Sequence, residues 1–266
     1  MLSRNRLMLV LTVAVLAVPA FSQSTEMVQV GPPPIRRAEP PAASASAQEL
    51  EDRGDELRGD KNFLDAIDYY EAAIRKTPSG SMYNKMGICH LLLQRNKDAK
   101  KSFERAIKVD GNHADAYNNL GVVYYEMHDF GKAIRRYEKA VSLNPTAGSY
   151  YSNLGAAYFS RKNYDKAALN YSKALELDPE IFERISRAGV QAQLPSPEDR
   201  AHYDYVLAKI YAKMGIADRS LRYLRKAMED GYKEISNVYK DREFTDLRKD
   251  PRFTELMASK PTAISD

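Results

Sequence analysis

The sequence predicts an all-α fold: a right-handed α-solenoid of helix–turn–helix units with a C-terminal capping segment. Three observations predict it. First, segments 114–147 and 148–181 align without a gap. Tyr117, Leu120, Gly121, Tyr124, Ala133, Tyr137, Ala140 and Pro145 recur as Tyr151, Leu154, Gly155, Tyr158, Ala167, Tyr171, Ala174 and Pro179. A fixed 34-residue period marks a stacked helical array, in which each unit buries its apolar face only against its neighbours. Second, the spacings 117/120/121/124 and 133/137/140 are helical and place those residues on one face. Third, Gly54, Gly87, Gly121 and Gly155 stand mid-helix at one repeat position. Glycine there costs about 0.5–1 kcal/mol relative to alanine, so the position implies close approach of the partner helix. The alanines of the second helix are expected to form the other side of that contact.

The elements follow in chain order. Arg4 and Arg6 precede an apolar run from Leu7 to Val18, then Pro19-Ala20-Phe21-Ser22. This is the pattern of a secretory signal peptide over 1–22, cut after Ser22 or after Ala20. The run is shorter than the ~20 residues of a membrane-spanning helix, although an uncleaved anchor facing the periplasm is the alternative. No cysteine near the cut permits the lipoprotein route. Segment 23–46, with Pro32, Pro33, Pro34, Pro40 and Pro41 among Ala and Ser, reads as a disordered linker.

Four units occupy 47–181. The first, 47–79, has a weak first helix (Leu50, Arg53, Gly54, Leu57) and a clear second one (Phe63, Ala66, Tyr70, Ala73, Pro78). The second, 80–113, carries Tyr83, Met86, Gly87, Ala99, Phe103 and Ala106, with Gly111 where the others close on Pro. The links Met127-His128-Asp129 and Arg161-Lys162-Asn163 suit antiparallel neighbours. A connecting segment, 182–200, breaks the period and contains a helix start: Ser196 as cap, Pro197 at the first position, then Glu198 and Asp199. A degenerate fifth unit, 201–234, keeps Leu207, Ala208, Tyr211, Leu224 and Ala227. The tail, 235–266, offers Phe244, Leu247, Phe253 and Leu256 as a lid over the last apolar face.

With these residues in view, the chain resembles the tetratricopeptide repeat family. The family pattern is an aromatic, Leu-Gly and Tyr on the first helix, then Ala, an aromatic and Ala on the second, and a closing Pro. The resemblance covers about two-thirds of the chain and implies a protein-interaction function.

The residues offer little for catalysis. His90, His113, His128 and His202 are scattered, with no pair at i, i+4 and no metal-binding cluster. Phosphate-loop and dinucleotide motifs are missing from the sequence. The lone Cys89 forms no internal disulfide and reads as a packed thiol. Net charge is +4, and removal of Arg4 and Arg6 leaves 38 basic and 36 acidic side chains, which does not point to a nucleic acid. The expectation is a non-enzyme without cofactor or small-molecule substrate. Its partner would be a protein or peptide, and a membrane only if the N-terminal segment is kept.

The resemblance also implies where that partner binds. First helices of the family line a concave groove, and its inward positions here include Asn84, Lys85, Asn118, Asn119, Val122, Tyr125, Asn153, Phe159 and Lys209. Asn119 and Asn153 recur where some members hold a peptide backbone by its amide groups. The equivalents elsewhere are Asp52, Lys85 and Val206, so such a ladder has two rungs, and the family's lysine–asparagine carboxylate clamp is not reproduced. Tyr125 and Phe159 are expected as apolar anchors, unless they pack between helices. The expected function is an adaptor outside the cytoplasm, periplasmic or secreted. The alternative is a structural subunit of an envelope, secretion or pilus assembly that uses repeat ends and convex faces.

Overall fold

In the computed structural model the described residues are 39–183 and 197–259. The expected signal peptide, most of the linker, Ser196 and the last residues of the tail lie outside them. Five helix pairs follow one another: α1 (Ala47–Gly59) with α2 (Phe63–Lys76), α3 (Gly80–Leu92) with α4 (Asn96–Val109), α5 (Ala114–Glu126) with α6 (Phe130–Leu143), α7 (Gly148–Ser160) with α8 (Tyr164–Leu177), and α9 (Pro197–Lys213) with α10 (Ala217–Glu229). Each pair packs internally, and α2, α4, α6 and α8 each pack on the first helix of the next pair. No strand occurs among the described residues, and none of their helices is long and apolar enough to cross a membrane. The all-α solenoid expected from the period is the fold observed.

The chain enters the array at a defined cap. Ser46 Oγ accepts from the Glu49 amide at 3.2 Å, and the Glu49 carboxylate accepts from the Ser46 amide at 2.7 Å. This reciprocal pair satisfies two free N–H groups at the start of α1. Residues 39–45, the end of the expected linker, run against α2: Tyr69 donates to the Glu39 carbonyl at 2.9 Å and Lys76 to the Ala43 carbonyl at 2.8 Å.

Each pair turns in the same way. Lys61, Gln94, His128 and Lys162 have φ of 63°, 58°, 59° and 58°, and Gly215 has 74° at the same position of the fifth unit. In the third unit the His128 amide donates to the Tyr125 carbonyl at 2.8 Å and the Asp129 amide to the Tyr124 carbonyl at 2.9 Å. This is the Schellman arrangement, which closes a helix by turning one residue left-handed. Asp129 then caps α6, its carboxylate accepting from the Lys132 amide at 3.1 Å, and Asn163 caps α8 likewise.

The glycine at the centre of each first helix faces an aromatic ring. A Cβ on Gly54, Gly87, Gly121 or Gly155 would lie 2.7, 2.5, 2.5 or 2.6 Å from Tyr70, Phe103, Tyr137 or Tyr171. This corrects the expectation that second-helix alanines form the opposing surface: the nearest atoms belong to the rings. Those rings are fully buried, each contributing roughly 1.5–3 kcal/mol of apolar burial. In the fifth unit both partners change together, with Ala208 in the glycine's place and Leu224 in the ring's, both fully buried.

α9 starts at Pro197 and is longer than the other first helices, as the helix-start signal implies. Beyond α10 the chain makes 3-10 turns at Ile235–Tyr239, Arg242–Phe244 and Leu247–Lys249 before α11 (Pro251–Ser259). Phe244, Leu247, Phe253 and Leu256 are buried in one cluster with Leu224 and Ala227, which caps the array.

Candidate functional site

The residues expected to line a groove all lie on first helices, and the structure brings most of them together. Asn84, Asn118, Asn119 and Asn153 are 7, 2, 2 and 3 % exposed. They form one hydrogen-bonded chain. Asn153 Nδ2 donates to Asn118 Oδ1 at 3.0 Å, Asn118 Nδ2 to Asn119 Oδ1 at 3.3 Å, and Asn119 Nδ2 to Asn84 Oδ1 at 3.0 Å. The amides thus tie α7 to α5 and α5 to α3. Burying an amide without partners costs free energy, and the chain supplies those partners from within the array.

Other polar groups repeat the same stitch. The Tyr125 hydroxyl and Ser160 Oγ share a hydrogen bond of 2.8 Å, and the Tyr150 hydroxyl donates to Asp115. Both join α5 to α7.

Tyr125 and Phe159, expected as anchors for a ligand, have core side chains 4 and 1 % exposed. The Tyr125 ring meets Phe130 edge-on at 5.1 Å, and Phe159 meets Tyr164 at 5.1 Å and His202 at 5.4 Å. Val122 is fully buried in the same core as Tyr125. As placed, these three offer packing between helices and no area to a ligand. The physical reason is the tight stacking of the first helices, which turns the inward positions of α5 and α7 toward neighbouring helices.

Lys85 and Lys209 are partly exposed, one toward each end of the array. Lys85 Nζ lies 2.7 Å from Glu51 and 2.5 Å from Asp55. The Tyr70 hydroxyl also donates to Asp55 at 2.7 Å. Burial alone would raise the Asp55 pKa, but the hydrogen bonds from Lys85 and Tyr70 outweigh it and hold the carboxyl below its ordinary range. Burial opposes the charge on Lys85, and the hydrogen bonds to Asp55 and Glu51 raise its pKa despite it. Lys209 Nζ lies 2.9 Å from Asp241 and 3.4 Å from Glu243, and the Tyr205 hydroxyl donates to Asp241 at 2.9 Å.

Two groups give the array a chemical character that the repeat pattern alone did not suggest. The Cys89 thiol is buried and pushed up to about 12 by that burial, which makes it a poor nucleophile. Asp204 on α9 is a buried carboxyl raised to about 7 by burial, with the charge of Lys226 opposing the rise and that of Asp230 adding to it. It stands where the second, third and fourth units carry Tyr83, Tyr117 and Tyr151, a substitution visible in the alignment of units. Among the described residues no group of three or more His, Cys, Asp or Glu side chains converges as a metal site.

Two family models, both described as tetratricopeptide repeat, match residues 78–146 and 149–181. Over 70 residues the chain is 31 % identical to sperm-associated antigen 1 of Mus musculus, a stretch that is 26 % of this chain and 8 % of that protein. The chain therefore spans under a tenth of the curated relative it matches. A crystal structure of MamA protein is similar with a TM-score of 0.50 and 22 % identity, over 74 % of this chain and 95 % of that one. MamA from residue 41 onward, from Desulfovibrio magneticus RS-1, is similar with a TM-score of 0.51 and 19 % identity, over 75 % of this chain and 100 % of that one. At these identities the similarity concerns the fold.

Proposed function

Because this chain is a tetratricopeptide-repeat protein, we propose that it is a non-catalytic adaptor that holds a peptide or protein segment along the face of its first helices. The observation that supports this reading is the stitching of α3, α5 and α7 by buried and part-buried side-chain hydrogen bonds. A surface fixed before binding loses little entropy when a ligand spans several units. The ligand would be met by the partly exposed Lys85, Ser160 and Lys209, while the asparagine chain holds the helices behind them.

We place this activity outside the cytoplasm, in the periplasm or after secretion. The support is the order Arg4, Arg6, an apolar run and small residues at the N-terminus. Amino-terminal sequencing of the protein from its native envelope checks it: a start near Gln23 fits, and an intact Met1 in a membrane fraction favours the anchored form.

Burial of Asn119, Tyr125 and Phe159 favours a second reading, a structural subunit of an envelope assembly that makes contacts by its ends and outer faces. Photocrosslinkers at Lys85 and Ser160, compared with Arg135 and Lys173 on second helices, separate the two. Partner adducts from the first-helix positions support the adaptor. Adducts confined to the second-helix positions replace it with the assembly reading.

A further inference from the structure

We propose that the second-helix face of the second, third and fourth units docks on an anionic lipid surface. Two positions of that face recur in three consecutive units: Lys101 and Arg105 in α4, Arg135 and Lys139 in α6, Leu169 and Lys173 in α8. All six side chains are exposed. Together α4 and α6 carry nine basic and three acidic side chains. The whole chain has a net charge of +4, whereas α4 and α6 alone have a surplus of six, so the positive charge is gathered here rather than spread over the chain.

The row is not consumed by internal ion pairs. Lys101 lies 3.5 Å from Asp98 and Lys173 lies 2.9 Å from Glu176. Arg105, Arg135 and Lys139 form no ion pair among the described residues, and Lys139 Nζ lies 6.0 Å from the centre of the Tyr117 ring. The carboxylates interspersed with them have other partners: Glu104 lies 3.5 Å from Lys100, and Glu138 accepts from the Tyr158 hydroxyl at 2.7 Å.

Leu169 is 70 % exposed and occupies the position that Lys101 and Arg135 hold in the preceding units. A lone exposed leucine is ordinary. One that continues a basic row supplies the apolar half of an interfacial surface, with cations on headgroups and a leucine at the acyl boundary. The second helices α4, α6 and α8 each pack on the first helices on either side, so the cations are strung along the array, one set per unit, and do not converge on a point. A strung-out row fits a field of many headgroups better than one phosphate or carboxylate.

The test uses the full chain and vesicles of phosphatidylcholine with and without about a third phosphatidylglycerol, read by co-sedimentation at low and high salt. Binding by the N-terminal segment, whose Arg4 and Arg6 also favour anionic vesicles, is kept in the variants below and is the baseline against which their loss is read. The proposal expects tighter binding to anionic vesicles, and expects that preference to vanish by about 0.5 M salt as screening shortens. Arg105→Glu, Arg135→Glu and Lys139→Glu together should weaken anionic binding at least about tenfold. Leu169→Ser should weaken it about two- to fivefold with the salt dependence kept. Helical content by circular dichroism shows whether the triple variant is folded, and the three glutamine substitutions replace it if it is not. Equal binding to both vesicle types, or full retention by a folded triple variant, overturns the proposal. So does a polyglutamate peptide that binds the wild type as tightly as the vesicles and ignores Leu169→Ser, since that marks an acidic protein partner.

Discussion

Tyr137 and Gly121 share a space too small for both a ring and a Cβ, and the fifth unit shows how that space can be filled differently. Gly121→Ala puts a methyl group 2.5 Å from Tyr137 Cε1 and should destabilise the array by about 1–3 kcal/mol. Tyr137→Leu alone should also cost stability, through a cavity. The double variant reproduces the Ala208–Leu224 pair of the fifth unit and should be more stable than the two losses added, by at least about 1 kcal/mol of coupling in denaturant melts. Additive losses would show that the ring does not set the glycine. Asp204 carries the second prediction at this scale. Its folded pKa is raised, so the folded state holds a proton that the unfolded chain releases. Stability is then fullest near pH 4 and falls as pH rises toward about 7, by up to about 4 kcal/mol. Asp204→Asn should raise the melting temperature at pH 7.5 and flatten the slope between pH 4 and 7. An unchanged slope would refute the assignment.

Among elements, the turn within each pair is the most uniform feature. Four of the five left-handed positions carry a side chain, and αL backbone costs an L-residue roughly 1–2 kcal/mol. His128→Gly should therefore raise stability by about 0.5–1 kcal/mol, the relief being partly offset by a looser unfolded chain. Gly215→Ala should lower it by about 1 kcal/mol. Thermal melts of the two variants moving in the same direction would contradict this account. Link length was readable from the spacing of apolar residues, since short links join antiparallel helices. The left-handed residue was not, because Lys61, Gln94, His128 and Lys162 lack the glycine that ordinarily announces it. The opposite holds for the cap, where Phe244, Leu247, Phe253 and Leu256 announce their burial by apolarity alone.

At the scale of the molecule, three of the five first helices, α3, α5 and α7, are held in sequence by the asparagine chain. Asn119→Leu leaves the amides of Asn84 and Asn118 each short of a partner and should cost about 1–3 kcal/mol. Because an array is coupled only through nearest neighbours, the loss should also loosen the first two units from the rest. Hydrogen exchange should show faster opening in α1–α4 with protection kept in α6–α10. Uniform acceleration would mean that the chain does not carry the coupling. The sequence placed Asn119 and Asn153 on the right helices, because the period fixes helix and face. Whether that face met water or another helix depended on how closely the units stack, which the period does not encode. The carboxylates around Lys85 and Lys209 come from residues 30 or more positions away and could not be paired by local spacing. A primary amide both donates and accepts, so Asn118 and Asn119 turn one link toward α7 and another toward α3. The third unit is in that sense a coupler with matching plugs at its two ends. Gene duplication of 114–147 would add a joint already fitted with its own connectors, and the array could lengthen without new chemistry.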